Sequence, residues 1–342
     1  MNLKKEITQI HYEKNSKSLL IPLLEFFSFF YSIITRIRNY LYDKNILKSY
    51  KVNAYVISVG NLTTGGVGKT PLVAEIAKYL QAQDKKIAII SRGYGGKLSS
   101  KNVNLISNGT EIFYTAEEAG DEPYWFAENL KGINVLTCSN RVKAANYAIQ
   151  NLGVNVIILD DAFQHRRIQR DLNLVLVDSE KLFGNRKHLP AGPLRENFTG
   201  LKRADKLVIM NKSSKKVDSS ILTNIFETFD DDKTFVCNLT PGFTYNIYTT
   251  EVLPLKTEVT AVCAIGQPEQ FFEFARQKFN VIRTVSYNDH HAYKYEEIAR
   301  FKGKVVTTEK DAVKMLPFEL DNIYALKLKL DIDIERLLND QN

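Results

Sequence analysis

The sequence predicts an α/β protein: a parallel sheet with helices on both faces, a smaller C-terminal α/β domain, and an N-terminal amphipathic helix. Three observations carry this. Short apolar runs, rich in Val and Ile, recur at 54–59 (AYVISV), 86–91 (KIAIIS), 133–138 (INVLTC), 154–160 (VNVIILD), 173–178 (NLVLVD) and 206–211 (KLVIMN). Helical patterns such as PLVAEIAKYLQAQ and NRVKAANYAIQNL lie between several of them. Nearly continuous apolar strands alternating with helices describe a parallel sheet buried on both faces. The third observation is an aromatic-rich stretch over 18–42, ahead of the first strand.

That stretch, SLLIPLLEFFSFFYSIITRIRNYLY, contains Pro22 and Glu25 and ends with Arg36 and Arg38, which disfavours a transmembrane span. It also lacks the small-residue cleavage site of a signal peptide. Leu20, Leu23, Leu24, Phe27, Phe30, Tyr31, Ile34, Ile37 and Leu41 recur at helical spacing, and Glu25, Ser28, Ser32, Arg36 and Asn39 form a narrower polar stripe. Aromatic and basic groups together suit the headgroup zone of an anionic bilayer, so an interfacial helix is expected rather than one docked on the protein's own core.

The chain has 342 residues, enough for two α/β units, and 44% hydrophobic with 25% charged residues makes it globular. A net charge of +7 favours an acidic partner such as a nucleotide, an anionic lipid or a phosphorylated substrate. Cys138, Cys237 and Cys263 are widely spaced, which fits a reducing compartment and excludes a disulfide framework or a zinc site. The expected division is a helix region over 1–45, a nucleotide-binding core over 46–234 and a smaller α/β domain over 235–342. Within the last part, PGFTYN at 241–246 reads as a turn.

Between the first strand and the first helical pattern of the core stands VGNLTTGGVGKTP. A strict Walker A loop reads GxxxxGK[ST], and its first glycine is replaced here by Thr63. The context of strand before and helix after is right. Gly65, Gly66 and Gly68 let the backbone around Thr63, Thr64 and Val67 curl so that its N–H groups meet phosphate oxygens, helped by the helix N-terminus. Lys69 would reach the β- and γ-phosphates, and the Thr70 hydroxyl would ligate Mg²⁺. Asp160 and Asp161, after the apolar VIIL, supply the carboxylates that a P-loop NTPase-type sheet places beside the metal. A nucleoside triphosphate with Mg²⁺ is therefore expected.

Two families of P-loop protein fit less well. Positioning ATPases place a lysine before the two glycines, where this chain has Thr64, and GTPases carry NKxD, where this chain reads NKSS at 211–214. Further polar groups cluster in loops: Asp121 and Glu122 before Pro123 at a helix start, Arg141 after a strand, Gln164, His165, Arg166 and Arg167, then Arg195 and Glu196, and finally Asp289, His290 and His291.

Taken in order, VGNLTTGGVGKTP, SRGYGG, GDEP, LDDAFQH, LPAGPLRE, DHHAY and VTTEKDAVK resemble the tetraacyldisaccharide 4'-kinase family of lipid A biosynthesis, from about residue 18 to near the C-terminus. Ala162 stands where the family often has glycine, and 212–232 carries no family motif. The resemblance implies a peripheral or monotopic enzyme on the cytoplasmic face of the bacterial inner membrane. It would move the γ-phosphoryl of ATP to the 4'-hydroxyl of a tetraacylated glucosamine disaccharide 1-phosphate, with no nucleic acid and no obligate protein partner. It further implies Asp121 as the base, paired with His290 of the DH motif and with His291 as the alternative. Asp160 and Asp161 would sit with Mg²⁺, and Arg141, Gln164, His165, Arg195 and Glu196 would line the reaction centre. A membrane-associated positioning ATPase is the alternative.

Overall fold

The computed structural model describes residues 3–13, 18–212, 217, 231–289 and 291–339. In chain order the elements are α1 (Leu3–Tyr12), α2 (Ile21–Asp43), β1 (Tyr55–Asn61), α3 (Lys69–Gln81), β2 (Ile87–Ser91), β3 (Asn104–Ser107), α4 (Ala116–Ala119), α5 (Asp121–Asn129), β4 (Asn134–Thr137), α6 (Arg141–Leu152), β5 (Val156–Asp160), β6 (Leu172–Asp178) and β7 (Lys206–Asn211). After them come β8 (Thr234–Asn246), β9 (Glu258–Cys263), α7 (Pro268–Lys278), β10 (Asn280–Ser286), α8 (Tyr295–Ala299), β11 (Lys304–Thr308), α9 (Glu309–Met315), β12 (Ile323–Asp331) and α10 (Ile334–Leu338).

The described strands form one sheet in the order β10-β9-β11-β12-β8-β7-β6-β1-β5-β2-β4-β3. From β8 to β2 and on to β4 the neighbours are parallel; the edge strand β3, absent from the sequence reading, runs antiparallel to β4. The central strands show why the apolar runs are unbroken. In β5, Val156 and Ile158 pack under α3 and α5, while Ile157 and Leu159 pack under α6, so successive residues enter two separate cores.

β8 ties the C-terminal strands on. Its residues Thr234 to Asn238 pair with β7, and Asn238 to Asn246 pair antiparallel with β12. The turn expected at 241–246 is thus strand. Pro241 lacks an N–H for the ladder, and the register slips opposite it, between Leu326 and Leu328, which lets the strand continue past the proline.

α2 confirms the helix expected over 18–42, with Pro22 in its first turn. Ser28 and Asn39 of the expected polar stripe face inward together with Tyr31, whereas Glu25 and Arg36 are exposed. Ser28 donates to the His188 carbonyl (2.8 Å), Tyr31 to the Arg195 carbonyl (3.0 Å) and Asn39 to Glu196 (2.7 Å). Leu23, Phe27, Phe30, Ile34 and Ile37 consequently point outward and are about half exposed. Among the described residues no helix is long and apolar enough to cross a membrane.

Candidate active site

The chain leaves β1 at Asn61 and curls through Thr63 to Gly68 into α3, whose first residues are Lys69 and Thr70. Gly65 and Gly68 hold φ angles of 111° and 101°, left-handed values that a side chain would strain. A Cβ at Gly66 would meet nothing within 4 Å, so the loop borders open space. Thr63 is buried and bridged to Leu194, which makes it part of the wall behind the loop.

Lys69 Nζ donates to Asn61 Oδ1 (3.3 Å) and lies 3.3 Å from Asp161 Oδ1, which Arg195 also contacts at 2.7 Å. Burial opposes ionisation of Asp161, but Lys69 and Arg195 overcome it and hold its carboxyl well below the usual range. Asp160 differs: burial, then the charges of Glu122 and Asp161, push it up to about 7. Its Oδ1 is buried and has no hydrogen-bond partner among the described residues. Thr70 Oγ1 donates to Glu122 Oε1 (3.2 Å).

These groups fit a phosphate chain and a divalent cation. The orphaned Asp160 oxygen, the Thr70 hydroxyl and the Asp161 carboxylate are hard oxygen donors beside an anion-seeking loop. Among the described residues no three His, Cys, Asp or Glu side chains form a metal cage. Two carboxylates and a hydroxyl suit Mg²⁺, which usually takes one or two carboxylates together with substrate phosphates and water.

Across the cleft, α9 reaches the start of α5. Lys310 and Lys314 lie one helical turn apart and so share a face. Lys310 pairs with Glu122, and Lys314 Nζ lies 2.8 Å from Asp121 Oδ2 and 3.4 Å from Asp311 Oδ1. The Lys310 charge lowers Glu122 against the effect of burial. Gly120, not Asp121, is the N-cap of α5, and no side-chain capping bond is made there. Both lysines sit in the VTTEKDAVK segment, yet sequence reading gave them no role. Their i, i+4 spacing just after a strand was the available signal.

Gln164, Arg195 and Glu196 gather on the α2 side, bonded to Arg38, Tyr31 and Asn39 respectively. Gln164 Nε2 donates to the Asn61 carbonyl (2.9 Å) and to Glu196 Oε1 (3.1 Å), and Glu196 also receives Arg203 (2.7 Å). Arg141 is buried, which lowers its guanidinium to about 10, and it donates to the Cys138 carbonyl. Burial, then the charge of Arg141 and neighbouring arginines, lowers His165 to about 4, so its imidazole is neutral near pH 7. Arg141, Gln164, His165 and Arg195 join the nucleotide loop, Asp121, Asp160 and Asp161 along one cleft of about 980 Å³. His290 lies outside the described residues. His291 turns its Nε2 to Glu297 Oε2 (2.9 Å) and stacks on Tyr287.

Known proteins share this arrangement of sequence. The family described as tetraacyldisaccharide-1-P 4'-kinase matches residues 20–341. Tetraacyldisaccharide 4'-kinase of Halothermothrix orenii is 35% identical, over 94% of this chain and 92% of that one. The protein of the same name from Geobacter metallireducens is 38% identical, over 92% and 95%. Among solved structures, LpxK from Aquifex aeolicus, an "apo" form in complex with ATP, is 35% identical with a TM-score of 0.77, covering 93% of this chain and 96% of that one. With a match that runs from α2 to the end of the chain, this protein belongs to the tetraacyldisaccharide-1-P 4'-kinase family.

Proposed function

We propose that the protein phosphorylates the 4'-hydroxyl of a tetraacylated glucosamine disaccharide 1-phosphate with ATP, a late step of lipid A biosynthesis. The observation that carries this reading is the meeting, in one cleft, of the nucleotide loop, the Asp160–Asp161 pair and the Asp121 carboxylate. The loop amides and Lys69 would bind and orient the triphosphate. Thr70, Asp160 and Asp161 would hold Mg²⁺, which when bound neutralises charge on the phosphoryl oxygens. A sugar hydroxyl is a poor nucleophile, so its proton must leave as the new P–O bond forms. Asp121 is the carboxylate suited to accept that proton at an Oδ atom, because it lines the cleft beside the nucleotide loop, is not spent as a helix cap, and is held in place by Lys314. His290 of the DH motif would share or orient it. Arg141, Gln164, His165 and Arg195 would line the acceptor side, with Glu196 buried behind them and holding Gln164, Asn39 and Arg203.

The acyl chains need a place outside the protein. The exposed Phe27, Phe30 and Ile34 face of α2 supports insertion into one leaflet, with the protein peripheral or monotopic on the cytoplasmic face of the inner membrane. Tyr31 and Asn39 on the inward side of the same helix bond to the loop bearing Arg195 and Glu196, so the lipid-facing surface and the acceptor side adjoin. The proposed division remains a helix region over 1–45, a core over 46–234 and a smaller domain over 235–342, with β8, from Thr234, paired to strands of both.

The test is to incubate purified protein with γ-labelled ATP and a detergent-solubilised disaccharide 1-phosphate. Label on the lipid is the expected result. ATP hydrolysis that leaves the lipid unlabelled would favour a positioning ATPase instead.

A further inference from the structure

The nucleotide loop is held from behind by groups that no part of the reaction requires. Thr64 N–H donates to the Pro193 carbonyl (2.8 Å). The Thr64 carbonyl accepts from the Tyr12 hydroxyl (3.0 Å), and the Gly66 carbonyl accepts from Lys212 Nζ. Lys212 is buried and paired with Asp178 at 3.0 Å, at the end of β6. Lys181, on the next turn, places its ammonium 5.1 Å from the centre of the Tyr12 ring.

In a trans peptide unit the C=O and N–H point in opposite directions. A donor on the Thr64 carbonyl therefore sets the direction of the Gly65 N–H, and a donor on the Gly66 carbonyl sets that of the Val67 N–H. Gly65 lacks a side chain to bias its own peptide, and its φ of 111° is one that glycine reaches without strain, so local sterics do not fix the peptide. External donors thus do what local sterics cannot. We propose that Tyr12 is a positioning residue for nucleotide binding, fixing the Gly65 N–H toward the phosphates from outside the loop, with Lys212 as its counterpart at Gly66.

α1 is built to present that hydroxyl. Asn185 receives two adjacent carbonyls of its last turn, donating from its backbone N–H to the His11 carbonyl (2.8 Å) and from Nδ2 to the Ile10 carbonyl (2.9 Å). His11 Nε2 bonds the Pro190 carbonyl (2.9 Å). Burial, then the Asp178 charge, pushes the Tyr12 phenol up to about 12, so it remains a donor throughout the neutral range. The family match begins at residue 20, so this strut lies outside it.

The inference rests on the ATP reading, and the experiment separates the two. Full-length wild-type protein and Tyr12→Phe are titrated with a fluorescent ATP analogue in Mg²⁺, and ATP KM, lipid KM and melting temperature are measured beside it. Tyr12→Phe should weaken nucleotide binding and raise the ATP KM by about two- to tenfold, the range of one neutral hydrogen bond, with lipid KM and melting temperature unchanged. Tyr12→Leu, which also removes the ring, should weaken binding at least as much. Wild-type affinity in Tyr12→Phe overturns the proposal, as does an equal rise in both KM values with a lowered melting temperature. Failure of the wild-type protein itself to bind the analogue overturns the ATP reading together with it.

Discussion

Lys314 Nζ meets Asp121 Oδ2 at 2.8 Å, joining α9 of the C-terminal strands to the first residue of α5 beside the nucleotide loop. The contact sets an ammonium beside a carboxylate that lines the cleft, and Gly120 rather than Asp121 caps the helix. General-base catalysis usually supplies roughly 10²- to 10⁴-fold, so Asp121→Asn should lose kcat on that scale with ATP affinity little changed. Because groups that share one proton are non-additive, adding His290→Ala to Asp121→Asn should cost little more. Single-turnover kinetics and thermal melting decide the matter: a normal kcat with a lowered melting temperature would make Asp121 structural.

Lys69 is shared between Asn61, Asp161 and the space over the loop. Removing one preorganised donor to a developing charge typically costs about 10²- to 10³-fold, and Lys69→Ala should lose at least that in kcat. Thr70→Ala should instead move the Mg²⁺ concentration needed for half-maximal rate upward. Near-wild-type turnover in Lys69→Ala would mean the loop does not hold the transferred phosphate.

The sequence revealed the parallel core because its strands are buried on both faces and read as unbroken apolar runs, as in Ile157–Leu159. It revealed the loop because only glycine tolerates the backbone at positions 65 and 68. It did not reveal β3, a four-residue edge strand whose pattern is too short to stand out, or the continuity of β8 through Pro241 and Gly242, where local turn chemistry is overridden by pairing with β12. Lys310 and Lys314 were illegible for another reason. A lysine on an exposed-looking helix reads as solvated until the tertiary fold sets α5 against it.

His165 should make stability depend on pH. Its folded value near 4 lies below the ordinary 6.5, so between those limits the unfolded chain binds more protons than the folded one. Its contribution is therefore complete above pH 6.5 and is lost as the pH falls toward 4. Denaturant titrations at pH 7 and pH 5 should show a smaller difference for His165→Asn than for wild type. An unchanged difference would place the acid sensitivity elsewhere.

Membrane attachment should depend on the outer face of α2. Phe27 and Phe30 are 52% and 49% exposed, and burying a whole Phe side chain is worth about 1.5–3 kcal/mol, so the exposed halves offer roughly 1 kcal/mol each on insertion. Phe27→Ser with Phe30→Ser should shift the protein from vesicles to the soluble fraction in high salt, where attraction to anionic lipid is screened. Flotation with vesicles containing anionic lipid reads this directly. Full retention of the double variant on vesicles would put the anchor on another surface, such as that around Arg166 and Arg167.

The Lys310–Glu122 pair should matter more to the fold than a surface ion pair, because Glu122 shares its neighbourhood with Asp160 and Asp161. Lys310→Met leaves three acidic groups facing one another with one fewer cation. Breaking a fully buried pair costs about 3–5 kcal/mol. Each side chain here keeps 33% of its surface open to water, so screening reduces the expected loss to about 1–2 kcal/mol. The second substitution separates repulsion from lost packing. Glu122→Gln in the Lys310→Met background removes the uncompensated charge while keeping an oxygen for the Thr70 hydroxyl, and should recover most of the stability. Urea titration of the wild type, both single variants and the double variant gives the coupling energy. If the losses of the two single variants simply add, the pair does not link α9 to α5, and the closure of the cleft on that side rests on Lys314 and Asp121.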